Sequence, residues 1–458
     1  MQLRLPWLRE RLQLFSLAAA DAALLSFFYN LSYWQRLGIW EGLNRALMAF
    51  LVLWLGGSYL LGRYSRVSAV DGAWQRRRWL GTVLVAFGVL ALVLAHTWVF
   101  RVIDAPTRYR GFLAPMLAAT ALCSGLVQGL VCRRPGLQRP WLLVATAGEL
   151  EVVRQELAQE PENGARVCLW ELEQLQACNT KELAGFAAVA LSDRLLLPAV
   201  QLEILLRHRS EGLVVSSLVN WAELILQRVP PELLSREALL RSEGFALQPG
   251  RLGWRLKRAG DLLVASLLLV ATLPLMALAA LLIWLEDRGP VLYSQERSGL
   301  FGEPYRVFKL RSMGTDAEAG GLRWASLGDR RITRVGAWLR KLRIDELPQL
   351  LAVLSGEMSL IGPRPERPEL EFTLEEQIPH YRVRHWLRPG LSGWAQVCYP
   401  YGASLADSRA KLAYDLYYLR NANLLLDLLI LFKTIKLVAG ARGAQPKGLA
   451  AEPPSVVV

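Results

Sequence analysis

The chain has 458 residues, a formal net charge of +13, 53% apolar residues and only 20% charged residues. That balance excludes an ordinary soluble protein and puts membrane segments first, while the length allows two to four domains. The basic excess is compatible with nucleic acid, anionic lipid or phosphate-bearing substrates. Neither the five cysteines nor the four histidines show metal-ligand spacing, so the thiols read as free and reduced.

Four apolar runs precede residue 135, at roughly 13–33, 46–62, 79–100 and 111–131. Each approaches the ~20 residues that a helix needs to cross a bilayer. Arg4, Arg9 and Arg11 precede the first run, Arg63, Arg66 and Arg76 to Arg78 lie between the second and third, and Arg133, Arg134 and Arg139 follow the fourth. The positive-inside rule then places both ends of a four-helix anchor, residues 1–135, in the cytoplasm. Asp21 is the one ionisable residue well inside a run, which argues against a transporter.

Residues 140–245 change character. WLLVATA, ARVCLWEL, FAAVALS and GLVVSSL read as buried strands, with helical patterns such as PAVQLEILLRHR between them. Alternating strands and helices predict a small parallel sheet. The turn after the first strand, TAGELE, has one glycine where a dinucleotide fingerprint has three. The domain is therefore expected to be a degenerate Rossmann-like module, acting as a spacer, a dimerisation unit or a ligand sensor.

Residues 262–285 form a fifth apolar run with Pro274 at its midpoint and basic residues on both flanks, Lys257 and Arg258 among them. A spanning helix would put one flank outside the cell. A helix over 258–285, kinked at Pro274 and entering and leaving by one face, satisfies both flanks, with Lys257 and Arg258 at the membrane interface. Beyond 289 bases alternate with aromatic and aliphatic residues, as expected of segments lying against headgroups. The tail 439–458 reads as disordered.

One stretch here is odd for packing. RIDELPQ, 343–349, sets Asp345 and Glu346 side by side behind Arg340, Lys341 and Arg343, with Pro348 following. A helix cap explains it, and so does chemistry; Pro348 suits a first helical turn, which would hold the acids at the positive end.

The succession of phrases resolves the choice. Lys257-Arg258 with Asp261, Gln295-x-Arg297-x-Gly299, Lys309-x-Arg311-Ser312-Met313, Asp329-x-Arg331-Ile332-Thr333, Asp345-Glu346-Leu347-Pro348-Gln349, Gly362-Pro363-Arg364-Pro365, Pro389-Gly390, and Asp415 with Tyr418 and Asn421 follow one another. In that order and spacing, residues 254–438 resemble the catalytic domain of the bacterial sugar transferases, which are polyprenyl-phosphate hexose-1-phosphate transferases. The architecture of the whole chain resembles the larger members. Leu273, Leu310 and Asn423 depart from the usual serine, phenylalanine and serine.

The resemblance implies a membrane α-helical bundle, an α/β Rossmann-like domain and a mainly α catalytic domain with a Pro-kinked re-entrant membrane helix. It implies transfer of a hexose 1-phosphate from a UDP-sugar to polyprenyl (undecaprenyl) phosphate, with release of UMP. Asp345 is implied as nucleophile and Glu346 as a ligand of Mg2+. Arg340 and Arg364 are expected to hold phosphates; Lys309, Arg311, Gln396 and Asp415 match further substrate-binding positions. Expected partners are the UDP-sugar, the polyprenyl phosphate and membrane lipid, with no nucleic acid, and a homodimer through the anchor or middle domain. The expected location is the bacterial inner membrane with the catalytic domain cytoplasmic. A UDP-releasing glycosyltransferase and a scaffold of polysaccharide export are the competing classes.

Overall fold

The structure, a computed structural model, describes residues 6–61, 63–64, 72–100, 110–132, 140–159, 167–178, 180–183, 185–240, 245, 247, 249, 251–315, 329–399, 402 and 404–439. The tail expected to be disordered lies almost wholly outside them. The chain divides into two compact bodies, residues 5–138 and, with the first four residues, 139–458.

The first body consists of helices α1 (Pro6–Leu37), α2 (Arg45–Leu60), α3 (Gly72–Phe100) and α4 (Arg110–Cys132). Leu25, Tyr29, Leu47, Phe50, Trp54, Phe112, Leu113 and Met116 form its core. Segments of α1, α3 and α4 are long and apolar enough to cross a bilayer. The 16-residue α2 is shorter; at 1.5 Å per residue it reaches ~24 Å, against a hydrocarbon core of ~30 Å. Asp21 is buried among donors. It accepts from Tyr64 Oη (2.8 Å), Trp54 Nε1 (3.2 Å) and Ser124 Oγ, and pairs with Arg63 at 3.3 Å. A charge inside such a bundle persists because it is paired and hydrogen-bonded.

The second body opens with the four predicted strands. They become β1 (Trp141–Val144), β2 (Val167–Trp170), β3 (Ala188–Leu191) and β4 (Val214–Ser217), a parallel sheet of order β2-β1-β3-β4. Helices α5 (Ala147–Ala158), α6 (Ala199–Ser210) and α7 (Leu218–Ile225) accompany it. The order reverses between β1 and β3, the point where open parallel sheets take ligands.

Helix α8 (Leu252–Asp287) follows, beginning several residues before the sequence suggested. It runs through Pro274 without a break in its helical assignment, although the missing N–H there leaves the Val270 carbonyl without its usual donor. Leu263, Leu267, Val270 and Leu273 are exposed, and only Asp261, Ala265, Ala279 and Ile283 are buried. The two ends of α8 are tied to the same body. At the first, Asp261 accepts from Ser359 Oγ (2.8 Å) and Leu360 N (3.2 Å). At the second, Ala279 and Ile283 pack with Leu310 and Leu339.

The remaining elements are the hairpin β5 (Leu292–Ser298) and β6 (Pro304–Leu310), α9 (Arg334–Lys341), a 3-10 helix Ile344–Gln349, α10 (Leu350–Ser355), β7 (Ser359–Ile361), α11 (Pro368–Gln377), a 3-10 helix Tyr381–Trp386, β8 (Gly390–Ser392), α12 (Trp394–Cys398), α13 (Leu405–Asn421) and α14 (Leu424–Ala439). β7 and β8 pair in parallel. Their glycines are demanded by backbone contact: a Cβ on Gly390 would lie 2.0 Å from Gly362 N, and one on Gly362 would lie 2.3 Å from Arg388 O. Backbone cannot yield as a side-chain tip can, so Gly390→Ala should cost about 3 kcal/mol or more. Thermal unfolding of the purified protein checks this; an unchanged midpoint would refute the packing.

Candidate functional site

The acidic pair sits at a corner. Thr333 caps α9 by accepting from Gly336 N at 2.9 Å, and the helix ends at Lys341. Arg343 then takes a left-handed conformation, φ 55°, and the 3-10 helix Ile344–Gln349 begins. Such a conformation costs a non-glycine residue roughly 1 kcal/mol or more and is found where surrounding contacts hold it. Pro348 lies inside this 3-10 helix, not at the first turn of an α-helix as its sequence position suggests.

At three residues per turn, successive side chains diverge by about 120°. Glu346 consequently turns inward and is buried, while Asp345 is half-buried. Glu346 meets three cations. Its Oε1 accepts from Arg364 Nη2 at 2.8 Å and lies 3.6 Å from Lys309 Nζ; its Oε2 accepts from Arg343 Nη1 at 3.1 Å. Burial pushes its carboxyl upward, but Arg364, Lys309 and Arg343 outweigh burial and hold it below the ordinary carboxylate range. Asp345 has the opposite balance. Burial, then the charge of Glu346, push its carboxyl up against the pull of Lys309, Arg340 and Arg343. No hydrogen bond or ion pair ties the Asp345 carboxylate to another described residue. One carboxylate is locked and its neighbour is left available.

The cations come from different elements. Lys309 shares the inner face of β6 with Tyr305 and Val307, as a period of two requires. Arg364 belongs to the GPRP loop after β7, which is held from two sides. Arg297 Nη1 donates to Pro365 O (3.2 Å), Ser298 N donates to Glu366 O (3.1 Å), and Arg384 Nη2 donates to Arg364 O (2.8 Å). The same Arg384 Nη2 donates to Asp415 at 3.1 Å. Asp415 is buried on α13, and burial raises its carboxyl to about 6 in spite of Arg384.

The structure thus gathers Lys309, Arg364, Asp345 and Glu346, with Arg340 at the end of α9 close enough to pull on the Asp345 charge. Asp415 stands behind Arg364 through Arg384. Arg311 faces away: its guanidinium pairs with Asp287 and donates to Pro290 O at 2.6 Å, fastening the end of α8 to β6. The Gln396 amide is buried with no partner for either end among the described residues, and nothing links it to the acidic pair. Lys257 pairs with Asp427 at 2.7 Å, and Arg258 donates to the Val353 and Leu354 carbonyls at the end of α10. These two basic residues tie α8 to the protein. Arg297 and Arg384 were absent from the expected site, and Arg343 was expected only as one of the bases serving the diphosphate. Arg297 lay in the quoted Gln295-x-Arg297-x-Gly299 phrase, and Arg343 began RIDELPQ.

For Mg2+ the protein offers a pair of carboxylates; no cluster of three or more His, Cys, Asp or Glu occurs among the described residues. Mg2+ is commonly held by one or two carboxylates plus substrate phosphates. Both Glu346 oxygens are engaged by guanidinium groups, so the pair fits a metal that arrives with a diphosphate able to draw those groups away.

Residues 252–441 match the family model described as bacterial sugar transferase. Among similar proteins, the exopolysaccharide production protein PSS of Rhizobium leguminosarum bv. phaseoli is 41% identical over 186 residues, 39% of this chain and 93% of the relative. The chain belongs to the bacterial sugar transferase family. Within the family, the UDP-N-acetylgalactosamine-undecaprenyl-phosphate N-acetylgalactosaminephosphotransferase of Aeromonas hydrophila is 47% identical over 190 residues, 42% of this chain and 45% of the relative. The undecaprenyl-phosphate glucose phosphotransferase of Komagataeibacter xylinus is 45% identical over 194 residues, 41% of this chain and 36% of the relative. The matched region thus spans less than half the length of these two sugar transferases.

The opposite balances of the pair predict opposite stability effects. An acid whose folded pKa is raised stabilises the fold least once pH exceeds that pKa, because the ionised form is disfavoured there. Asp345→Asn removes this penalty, so the variant should be as stable as the parent in acid and at least as stable at pH 8. Glu346→Gln strands three cations and should cost about 3 kcal/mol at neutral pH. Thermal unfolding of both variants at pH 5 and pH 8 measures the contrast; destabilisation by Asp345→Asn at pH 8 would contradict it.

Proposed function

We propose that the chain transfers a sugar 1-phosphate from a UDP-sugar to undecaprenyl phosphate, releasing UMP, through a phosphosugar intermediate on Asp345. The observation that carries this reading is the asymmetry of the pair, an unengaged carboxylate beside one fixed by Lys309, Arg343 and Arg364. The names of the relatives, which specify undecaprenyl phosphate as acceptor, support the substrate class. One relative's name specifies N-acetylgalactosamine and another's glucose, so family membership alone leaves the sugar open.

The chemical difficulty is an anion approaching a diphosphate. Asp345 Oδ would attack the phosphorus that bears the sugar; the bond to the bridging oxygen breaks, and UMP leaves with that bonding pair. A phosphate oxygen of the lipid would then attack the same phosphorus and return the carboxylate. Splitting the displacement gives two easier steps. Guanidinium forks suit phosphate oxygens, so Arg364, Arg343 and the half-buried Arg340 are the groups to receive the diphosphate. As they turn to it, Glu346 becomes free for Mg2+, which would neutralise charge building on the departing phosphate. Lys309, half-buried beside Glu346, would keep that carboxylate in place.

The same reading makes α8 a re-entrant membrane helix in the cytoplasmic leaflet of the inner membrane, with the catalytic unit in the cytoplasm. Arg258 reaches Val353, and Ile283 packs near Ile344. A straight helix from 258 to 283 would advance ~38 Å, whereas the 3-10 and α turns between 344 and 353 advance only ~15–18 Å. The shortfall supports a bend near Pro274. Single cysteines at positions 255 and 288, in a background freed of the native ones, should both react with an impermeant thiol reagent from the cytoplasmic side. Labelling of the two from opposite sides would mean a spanning helix.

The direct test uses purified protein, Mg2+, undecaprenyl phosphate and a panel of UDP-sugars. UMP release should require the lipid and fall at least about a thousandfold in Asp345→Asn. Because Arg340 pulls the Asp345 carboxyl downward, Arg340→Gln should move the acidic limb of the rate profile to higher pH. Release of UDP would make the protein a glycosyltransferase of another kind.

A further inference from the structure

Helix α13 (405–421), whose inner side carries Asp415, is gripped along its length by residues of the α/β domain and the segment that leaves it. Arg409 forks Glu232 (2.5 and 2.8 Å) and donates to Glu156 of α5 at 3.2 Å. Arg228 donates to the same Glu156 at 2.6 Å and to Tyr414 Oη at 3.0 Å. Val229 N donates to Ala413 O at 2.8 Å. Near the end of the helix, Arg420 and Asn421 both donate to Glu223, at 2.5 and 3.1 Å. Glu156, Glu223, Arg228 and Arg420 are all buried. Buried charges are tolerated only in good mutual geometry, so this contact demands a fixed register that a flexible tether would not.

The sheet's own ligand position is taken. Where a phosphate would meet the start of α5, the buried Glu149 carboxylate accepts from Thr146 N (3.1 Å), Thr146 Oγ1 (2.9 Å) and Ser192 Oγ (2.8 Å). That carboxylate fills the place and takes the donors that an anion would need. Arg194, beside the reversal point, is already committed: its Nε lies 3.7 Å from Glu149 Oε1, and its Nη2 donates to the carbonyls of Glu232 (2.8 Å) and Leu234 (3.1 Å), in the docking segment itself. The adjoining cavity of about 300 Å³ is lined by Asp193, Arg194, Ser235, Glu237 and Ala238, with two acids and no aromatic wall for a base.

We propose that the α/β domain is a fixed brace for the catalytic unit, not a nucleotide sensor, and that Arg409 is its positioning residue. The brace sets α13, and Asp415 passes that setting through Arg384 to the Arg364 carbonyl and so to the cations around Glu346. Its effect on turnover rests on the proposed transferase reading; its structural part does not.

The experiment is hydrogen exchange on the full-length protein in nanodiscs, with turnover measured in parallel. In Arg409→Ala, exchange within 405–421 and 381–386 should rise about tenfold or more while 141–158 stays protected. UMP release should fall about tenfold in Arg409→Ala and in Glu232→Ala, fall no further in the double variant, and recover in part in Arg409→Lys. Unchanged exchange in 405–421 overturns the brace. So does wild-type-like turnover in Arg409→Ala, or new protection of 141–158 on adding millimolar ATP or NAD. If the parent protein itself releases no UMP, the transferase reading fails, and exchange alone decides the brace.

Discussion

Everything local to the site depends on the burial of one carboxylate, Glu346, among Lys309, Arg343 and Arg364. Those cations arrive from a hairpin strand, a left-handed corner and the GPRP loop. The strand is regular, paired with β5 along its whole length, but the corner and the loop are not. The shared anion fixes them, because each cation would be exposed to its fellows without it. The left-handed Arg343 is part of the same arrangement. Its backbone conformation puts the carboxylates at the start of a 3-10 turn, and its guanidinium returns to Glu346 three residues on. Local strain and local ion pairing thus compensate one another.

A consequence is a division of labour between two adjacent residues of almost identical chemistry. The cluster satisfies Glu346 and leaves Asp345 with its charge disfavoured by burial and by Glu346 itself. On the proposed reading this suits a nucleophile, since an ionised carboxylate held in poor circumstances attacks more readily than one already hydrogen-bonded. The stability of the nest is therefore what allows the neighbour to be unstable.

The sequence exposed these features unevenly. Four strands of the parallel sheet were visible because each is a short apolar run between turn residues. TAGELE lacks the glycines of a dinucleotide fingerprint, but the phrase did not show that its first glutamate, Glu149, turns back to accept from Thr146 and Ser192. RIDELPQ drew attention as an acidic pair, and pattern alone could not choose between cap and site. The succession of phrases decided it, and the structure adds the physical reason in Lys309 and Arg364, which come from other elements. Arg311 illustrates the reverse error. Its phrase, KLRSM, places it one strand repeat from Lys309, yet it lies past the end of β6 and turns to Asp287. Lys257 and Arg258 looked like headgroup ligands by composition and prove to be bonded to Asp427 and to the carbonyls ending α10. Long-range pairing is invisible to periodicity, and buried charge is where long-range pairing matters most.

The glycines make the same point from the side of sterics. Gly362 and Gly390 stand in two of the phrases that carry the family resemblance. In the structure they are where two backbones touch, so that the loop carrying Arg364 can be hung on β8. That anchorage continues through Arg384 to Asp415 and so to α13. In the proposed reaction the Arg364 guanidinium would have to meet a diphosphate closely, which a free loop could not ensure. The parallel pair of short strands, the Arg384 bridge and the helix behind it form the support that the loop itself lacks, and they explain why a region with so little regular sheet keeps its cations in order.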